Sequence, residues 1–148
     1  MPSLDVLLFR FLLVIIVGGL IGAEREYRSK SAGLRTMILI CLGSFLFTTF
    51  SIHITGSTND RIASNIVTGI GFLGAGVIVR NSEGHHVHGL TTAACVWLTA
   101  CIAAACGLSE WRIILVSLPI VGVLLFFGGT FEKAIHNRWP QSTEAETD

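Results

Sequence analysis

The stretch Gly18-Gly-Leu-Ile-Gly-Ala-Glu-Arg-Glu-Tyr-Arg28 decides the fold. A glycine-rich apolar run gives way at once to Glu24, Arg25, Glu26 and Arg28. Such a change marks a membrane helix leaving the bilayer, because charges are costly inside the hydrocarbon and cheap at its edge. Upstream, the chain is apolar from Leu4 with Asp5 and Arg10 as the exceptions, so residues Leu4–Ala23 form one segment of spanning length. About 20 mostly apolar residues are needed to cross.

Moving outward, four more segments qualify: Leu34–His53, Ile62–Val79, Gly89–Leu108 and Arg112–Phe131. The third is the most dilute, carrying Ser64, Asn65, Thr68 and several glycines, and the fifth contains Pro119. The expected fold is all-α, a polytopic membrane helix bundle of about five transmembrane helices. Composition agrees: 148 residues, 51% hydrophobic, 14% charged, mean hydropathy +0.69. A soluble domain of this size carries more surface charge. The formal net charge of zero argues against nucleic acid as a partner, since phosphate binding needs a basic surface. The main partner is the lipid bilayer.

Two parts are expected along the chain: a transmembrane domain over residues 1–136 and a disordered acidic tail over residues 137–148. No cleavable signal peptide is expected, because the N-terminus lacks a basic region ahead of its apolar run. Orientation follows the positive-inside bias. Arg25, Arg28, Lys30, Arg35, Arg80, Lys133 and Arg138 fall at one end of the helices, against Arg10, Arg61 and Arg112 at the other. That places the N-terminus outside and the C-terminus in the cytoplasm. Trp111 and Trp139 stand where interfacial anchors are expected.

Chemistry-bearing groups are few. If the first helix continues past the membrane, Glu24 meets Arg28 and Glu26 meets Lys30 at i,i+4 spacing. The loop then reads as a salt-bridged cap or as a cation- or partner-binding surface, with Glu24 the carboxylate closest to the bilayer. Magnesium is held by one or two carboxylates with several retained waters, so Glu24 at one end and Asp60 at the other are the candidate metal ligands. Asp60 also suits an N-cap for the third helix. Arg10 can snorkel to the interface or act inside the membrane.

Gly69-x-Gly71-x-x-Gly74 matches the dinucleotide fingerprint in letters only, lacking the strand that motif requires. Gly69, Gly71, Gly74 and Gly76, with Gly18 and Gly22 in the first helix, instead suit close helix packing in lipid and a homodimer. Arg61, Asn65 and Thr68 line one face of the third helix; Thr92, Cys95, Thr99, Ala103 and Cys106 line one face of the fourth; Ser44, Thr48 and Ser51 line one of the second. These stripes suit either interhelical hydrogen bonds or a polar path. The four cysteines lie in apolar segments and read as small hydrophobes. His85, His86 and His88, with only Glu83 nearby, make a weak metal site. No nucleophile–base arrangement is visible, and an enzyme is not expected.

The runs Gly-Leu-Ile-Gly-Ala-Glu-Arg-Glu-Tyr-Arg (19–28), Ala-Gly-Leu-Arg-Thr (32–36), Arg-Ile-Ala-Ser-Asn-Ile-Val-Thr-Gly-Ile-Gly-Phe-Leu-Gly-Ala-Gly-Val-Ile-Val-Arg (61–80) and Gly-Leu-Thr-Thr-Ala-Ala (89–94), with Trp97, together resemble the MgtC/SapB membrane family. The resemblance implies a bacterial inner-membrane protein tied to magnesium homeostasis, growth at low magnesium and, in pathogens, virulence. It implies either regulation of a partner, such as a membrane ATPase or ATP synthase, or magnesium transport. It marks Glu24, Arg25, Arg28, Arg35, Arg61, Arg80 and Thr91 as signature positions. No cofactor is expected, magnesium being the one candidate ion. Many relatives continue into a soluble C-terminal domain, which a short acidic tail would replace here.

Overall fold

The computed structural model describes residues 3–56, 60–80 and 87–138. Five helices follow one another: α1 (Leu4–Tyr27), α2 (Leu34–Thr55), α3 (Asp60–Val77), α4 (Leu90–Gly107) and α5 (Trp111–Arg138). Between α3 and α4, β1 (Val79–Arg80) pairs antiparallel with β2 (Val87–His88), Val79 opposite His88. This two-residue ladder is the only departure from an all-α fold among the described residues. Of the expected tail, 137–148, the first two residues continue α5 to Arg138 and the rest lie outside the described residues.

α1, α2, α4 and α5 are each long and apolar enough to cross a membrane. The described apolar part of α3, Ser64–Val77, is shorter. Its path is nevertheless forced. α2 ends at the end of the bundle opposite to where α4 begins, and Gly74 faces Ala93 while Gly89 meets Val77, so α3 runs antiparallel to α4. Eighteen residues rise about 27 Å, close to the ~30 Å hydrocarbon core.

The surface is built for lipid. Leu12, Leu20, Phe72, Leu115 and Phe126 are all more than half exposed. Apolar side chains gain little by leaving lipid for the protein interior, so van der Waals fit and interhelical hydrogen bonds hold the helices. That fit is tightest between α1, α2 and α4. Met37, Cys41 and Phe45 on α2 and Thr99 on α4 are fully enclosed, and Phe11 meets Phe45 edge-on with centroids 4.9 Å apart.

Local chemistry sets the joints. α1 ends four residues beyond Ala23, where Ser29 adopts φ 52° and the Lys30 amide donates to the Arg25 carbonyl at 3.0 Å. This six-to-one closure ends the helix. α4 ends the same way at Ser109, φ 66°, with Glu110 donating to the Ala105 carbonyl at 2.9 Å. α5 runs unbroken through Pro119. At the non-basic end, Arg10 lies 5.8 Å from the Trp111 ring centre, a cation–π contact that gives its charge a partner short of the interface.

Candidate functional site

The basic end of the bundle holds the densest polar chemistry. Glu24 is 7% exposed, Arg25 3% and Thr92 3%. The helix that carries Glu24 also carries Arg28 one turn on, and Arg28 Nε pairs with Glu24 Oε1. The same guanidinium donates to the carbonyls of Leu125 and Phe126 on α5, each at 3.0 Å. Arg25, pointing elsewhere on the turn, donates to Thr92 Oγ1 on α4 at 2.7 Å. One carboxylate and two guanidiniums thus tie α1 to α4 and α5.

Glu26 does not pair with Lys30. α1 has already ended, and the Glu26 carboxylate instead accepts the backbone amide of Leu34 at 2.8 Å. A carboxylate there satisfies an orphan amide and complements the positive end of α2. Gly33 leaves room for it: a Cβ there would stand 2.8 Å from Glu26 Oε2, and the carboxylate would have to shift.

Glu24 Oε2 and Arg25 Nε have no hydrogen-bond partner among the described residues. Arg28 pairs with one Glu24 oxygen and leaves the other without a partner. Magnesium is held by one or two carboxylates among waters, and Glu24 supplies one carboxylate at this end of the bundle. Among the described residues no three His, Cys, Asp or Glu side chains come together. Asp60 begins α3 at the opposite end of the bundle from Glu24, and its side chain lies outside the description, as do those of Arg61 and Arg80. His85 and His86 also fall outside; His88 is exposed in β2.

Three hydroxyls of the polar stripes bond within the bundle. Thr48 is fully buried and donates to the Ser44 carbonyl at 2.8 Å; Thr99 is fully buried and lies 3.7 Å from the Met37 sulfur. Thr68 donates to the Ser64 carbonyl at 2.9 Å. Thr92, Cys95, Thr99, Ala103 and Cys106 are all buried, where α4 meets its neighbours. Thr91, Arg35 and Asn65 are exposed, Asn65 beside a cleft between α2 and α3.

Sequence reading could not find the carbonyls of Leu125 and Phe126, because backbone acceptors carry no residue-type signal. Nor did it single out Gly33 and Gly89. Gly89 has φ 93°, and a Cβ on it would lie 2.3 Å from the Val77 carbonyl oxygen. A glycine directly ahead of an apolar helix was the available hint.

Comparison with known proteins identifies the family. The sequence profile of the MgtC family matches residues 11–134. Protein MgtC of Salmonella paratyphi A is 41% identical over 139 residues, covering 94% of this chain and 59% of that protein. Protein MgtC of Salmonella typhimurium is 44% identical over 114 residues, 77% of this chain and 48% of the relative. Protein MgtC of Brucella abortus is 48% identical over 93 residues, 62% and 38% respectively. The chain therefore spans less than two thirds of the length of the relatives it matches. No solved structure matches it. With a family profile that covers residues 11–134 of an apolar helix bundle and relatives at 41–48% identity, this chain belongs to the MgtC family.

Proposed function

We propose that the chain is a non-enzymatic inner-membrane protein that acts on a partner membrane protein during adaptation to low magnesium. The observation that carries this reading is that buried hydroxyls at the helix contacts are engaged within the bundle. A permeation path needs polar groups free to replace an ion's water, but Thr48 donates to the Ser44 carbonyl of its own helix and Thr99 of α4 donates to the Met37 sulfur of α2. Thr92 is likewise taken up by Arg25. The names of the relatives support the link to magnesium, and the basic residues gathered at one end support a cytoplasmic C-terminus.

The outward face of α3 is the surface we assign to the partner, whether a membrane ATPase, an ATP synthase or a second copy of this chain. Thr68, Gly71 and Ala75 there are exposed, and small residues allow close helix approach. The alternative is a cation transporter using Glu24 and Asp60.

Magnesium uptake into liposomes holding the folded chain, with an inside-negative potential, separates the two. No flux, together with a specific photo-crosslink from a probe at position 71 in native membranes, is the expected result. Flux that disappears in Glu24→Ala would establish transport instead.

A further inference from the structure

α3 leans on α4 and stands away from α2, leaving a cleft of about 490 Å³ between α2 and α3. Its floor is buried and apolar, formed by Ile40, Ile66, Ile70 and Val96. Its width comes from missing side chains: Gly43 on one wall and Gly69 on the other face open space, with no atom within 4 Å of where a Cβ would be. These glycines are not used for helix contact.

The dimensions select an occupant. From Thr36 to Phe47 on α2, and from Val77 to Asn65 on α3, the cleft runs about 17 Å at 1.5 Å per residue. One leaflet of the hydrocarbon core is about 15 Å deep, half of ~30 Å. The cleft is a narrow apolar groove open along its length to the surface that faces lipid. A single alkyl chain matches its length and its apolar lining, and in a bilayer such chains surround it.

Charge sets the direction. The cleft begins at Thr36, at the basic end, and Arg35 lies one turn from Leu39 on the same wall. Arg35 is exposed and has no ion pair or hydrogen bond with any described residue. We propose that the α2–α3 cleft binds one acyl chain of an anionic phospholipid from the leaflet at the basic end, with its phosphate at Arg35 and Thr36.

The test uses the full chain reconstituted in mixed phosphatidylglycerol and phosphatidylethanolamine vesicles, extracted gently and weighed by native mass spectrometry. The wild type should retain one phospholipid, with phosphatidylglycerol preferred. Filling the cleft with Gly43→Leu and Gly69→Leu should lower occupancy by about tenfold or more, the equivalent of two methylenes losing their burial. Helicity and melting temperature should hold, since both side chains enter open space. Arg35→Gln should keep the lipid but weaken the phosphatidylglycerol preference about fivefold, the effect of one basic residue near an anionic surface. A wild type without lipid, a filled variant as loaded as wild type, or a dimer that the filling abolishes would each overturn the proposal. Because Arg35 is at the surface, an unchanged preference in Arg35→Gln overturns the headgroup assignment even if the filled variant does not fold.

Discussion

Two helices of this molecule carry similar glycine runs and use them in opposite ways. On α1, Gly18 and Gly22 lie against α2: a Cβ on Gly22 would stand 2.7 Å from the Leu34 Cα, and one on Gly18 would stand 3.0 Å from the Ile38 Cα. On α3, Gly69, Gly71 and Gly76 meet nothing, and a Cβ on Gly74 would make an ordinary 3.8 Å contact with Ala93. Small residues in a membrane helix therefore signal permission to approach, and the partner need not be in the same chain. α1 has found its partner within the bundle, whereas α3 presents much of its glycine surface outward.

The largest expected effect tests that difference directly. Gly22→Leu must push α1 off α2, because the obstruction is backbone and cannot swing aside. Overpacking costs about 1–3 kcal/mol and occasionally more, and rigid backbone on the far side places this site at or above the upper end. Gly71→Leu should leave the thermal stability of the isolated chain within about 0.5 kcal/mol, as for a substitution away from packed features. Melting followed by circular dichroism in detergent compares the two. Equal losses would erase the distinction between a closed seam and an open face.

The joint between the open helix and the closed body comes next. Gly89 precedes α4 with φ 93° and sits under the Val77 carbonyl. Gly89→Ala meets both the strain of that backbone region, about 1–3 kcal/mol, and a steric overlap. It should lower the melting temperature by nearly as much as Gly22→Leu. The photo-crosslink from α3 to the proposed partner should weaken in parallel, because Gly89 sets where α3 stands on α4.

Much of this architecture was legible in the sequence because hydropathy and helical spacing are local properties. The five helices lie close to the apolar segments. α1 runs on from Ala23 to Tyr27, where the Glu24–Arg28 pair gives the charged turn a partner within the helix. The buried stripe of α4 also followed from i,i+4 spacing. What spacing cannot supply is which helices meet. Arg25 and Thr92 are 67 positions apart, and their contact depends on α4 packing against α1. Glu26 was read with Lys30 because both were assumed helical; six-to-one closure at Lys30 ended the helix first and freed the carboxylate for α2. The cleft was the least legible, since it depends on how far α3 leans from α2.

The charged lock at the basic end sharpens the contrast from the closed side. Glu24→Gln keeps the shape but removes the charge that Arg28 pairs with. Breaking a buried pair costs about 3–5 kcal/mol, but the Arg28 side chain is 35% exposed, so water screens the survivor and about 1–2 kcal/mol is expected. The loss should be felt at α5, whose Leu125 and Phe126 carbonyls depend on Arg28. Hydrogen exchange should quicken around residues 125–130 and stay unchanged in the exposed face of α3. Quickening in α3 as well would mean that the two sides of the molecule move as one.

The smallest effect separates glycine needed for contact from glycine needed for backbone angle. Ser109 closes α4 at φ 66° with a side chain where glycine is the usual residue. Ser109→Gly relieves left-handed strain, worth about 1 kcal/mol, against the larger entropy that glycine loses on folding, about 0.5–1 kcal/mol. The two nearly cancel, and a change of at most about 0.5 kcal/mol is expected. At Gly22 the requirement is contact, at Ser109 it is angle alone, and at Gly89 it is both. If Ser109→Gly stabilised the chain as strongly as Gly89→Ala destabilises it, backbone angle rather than close approach would govern the glycine positions of this bundle.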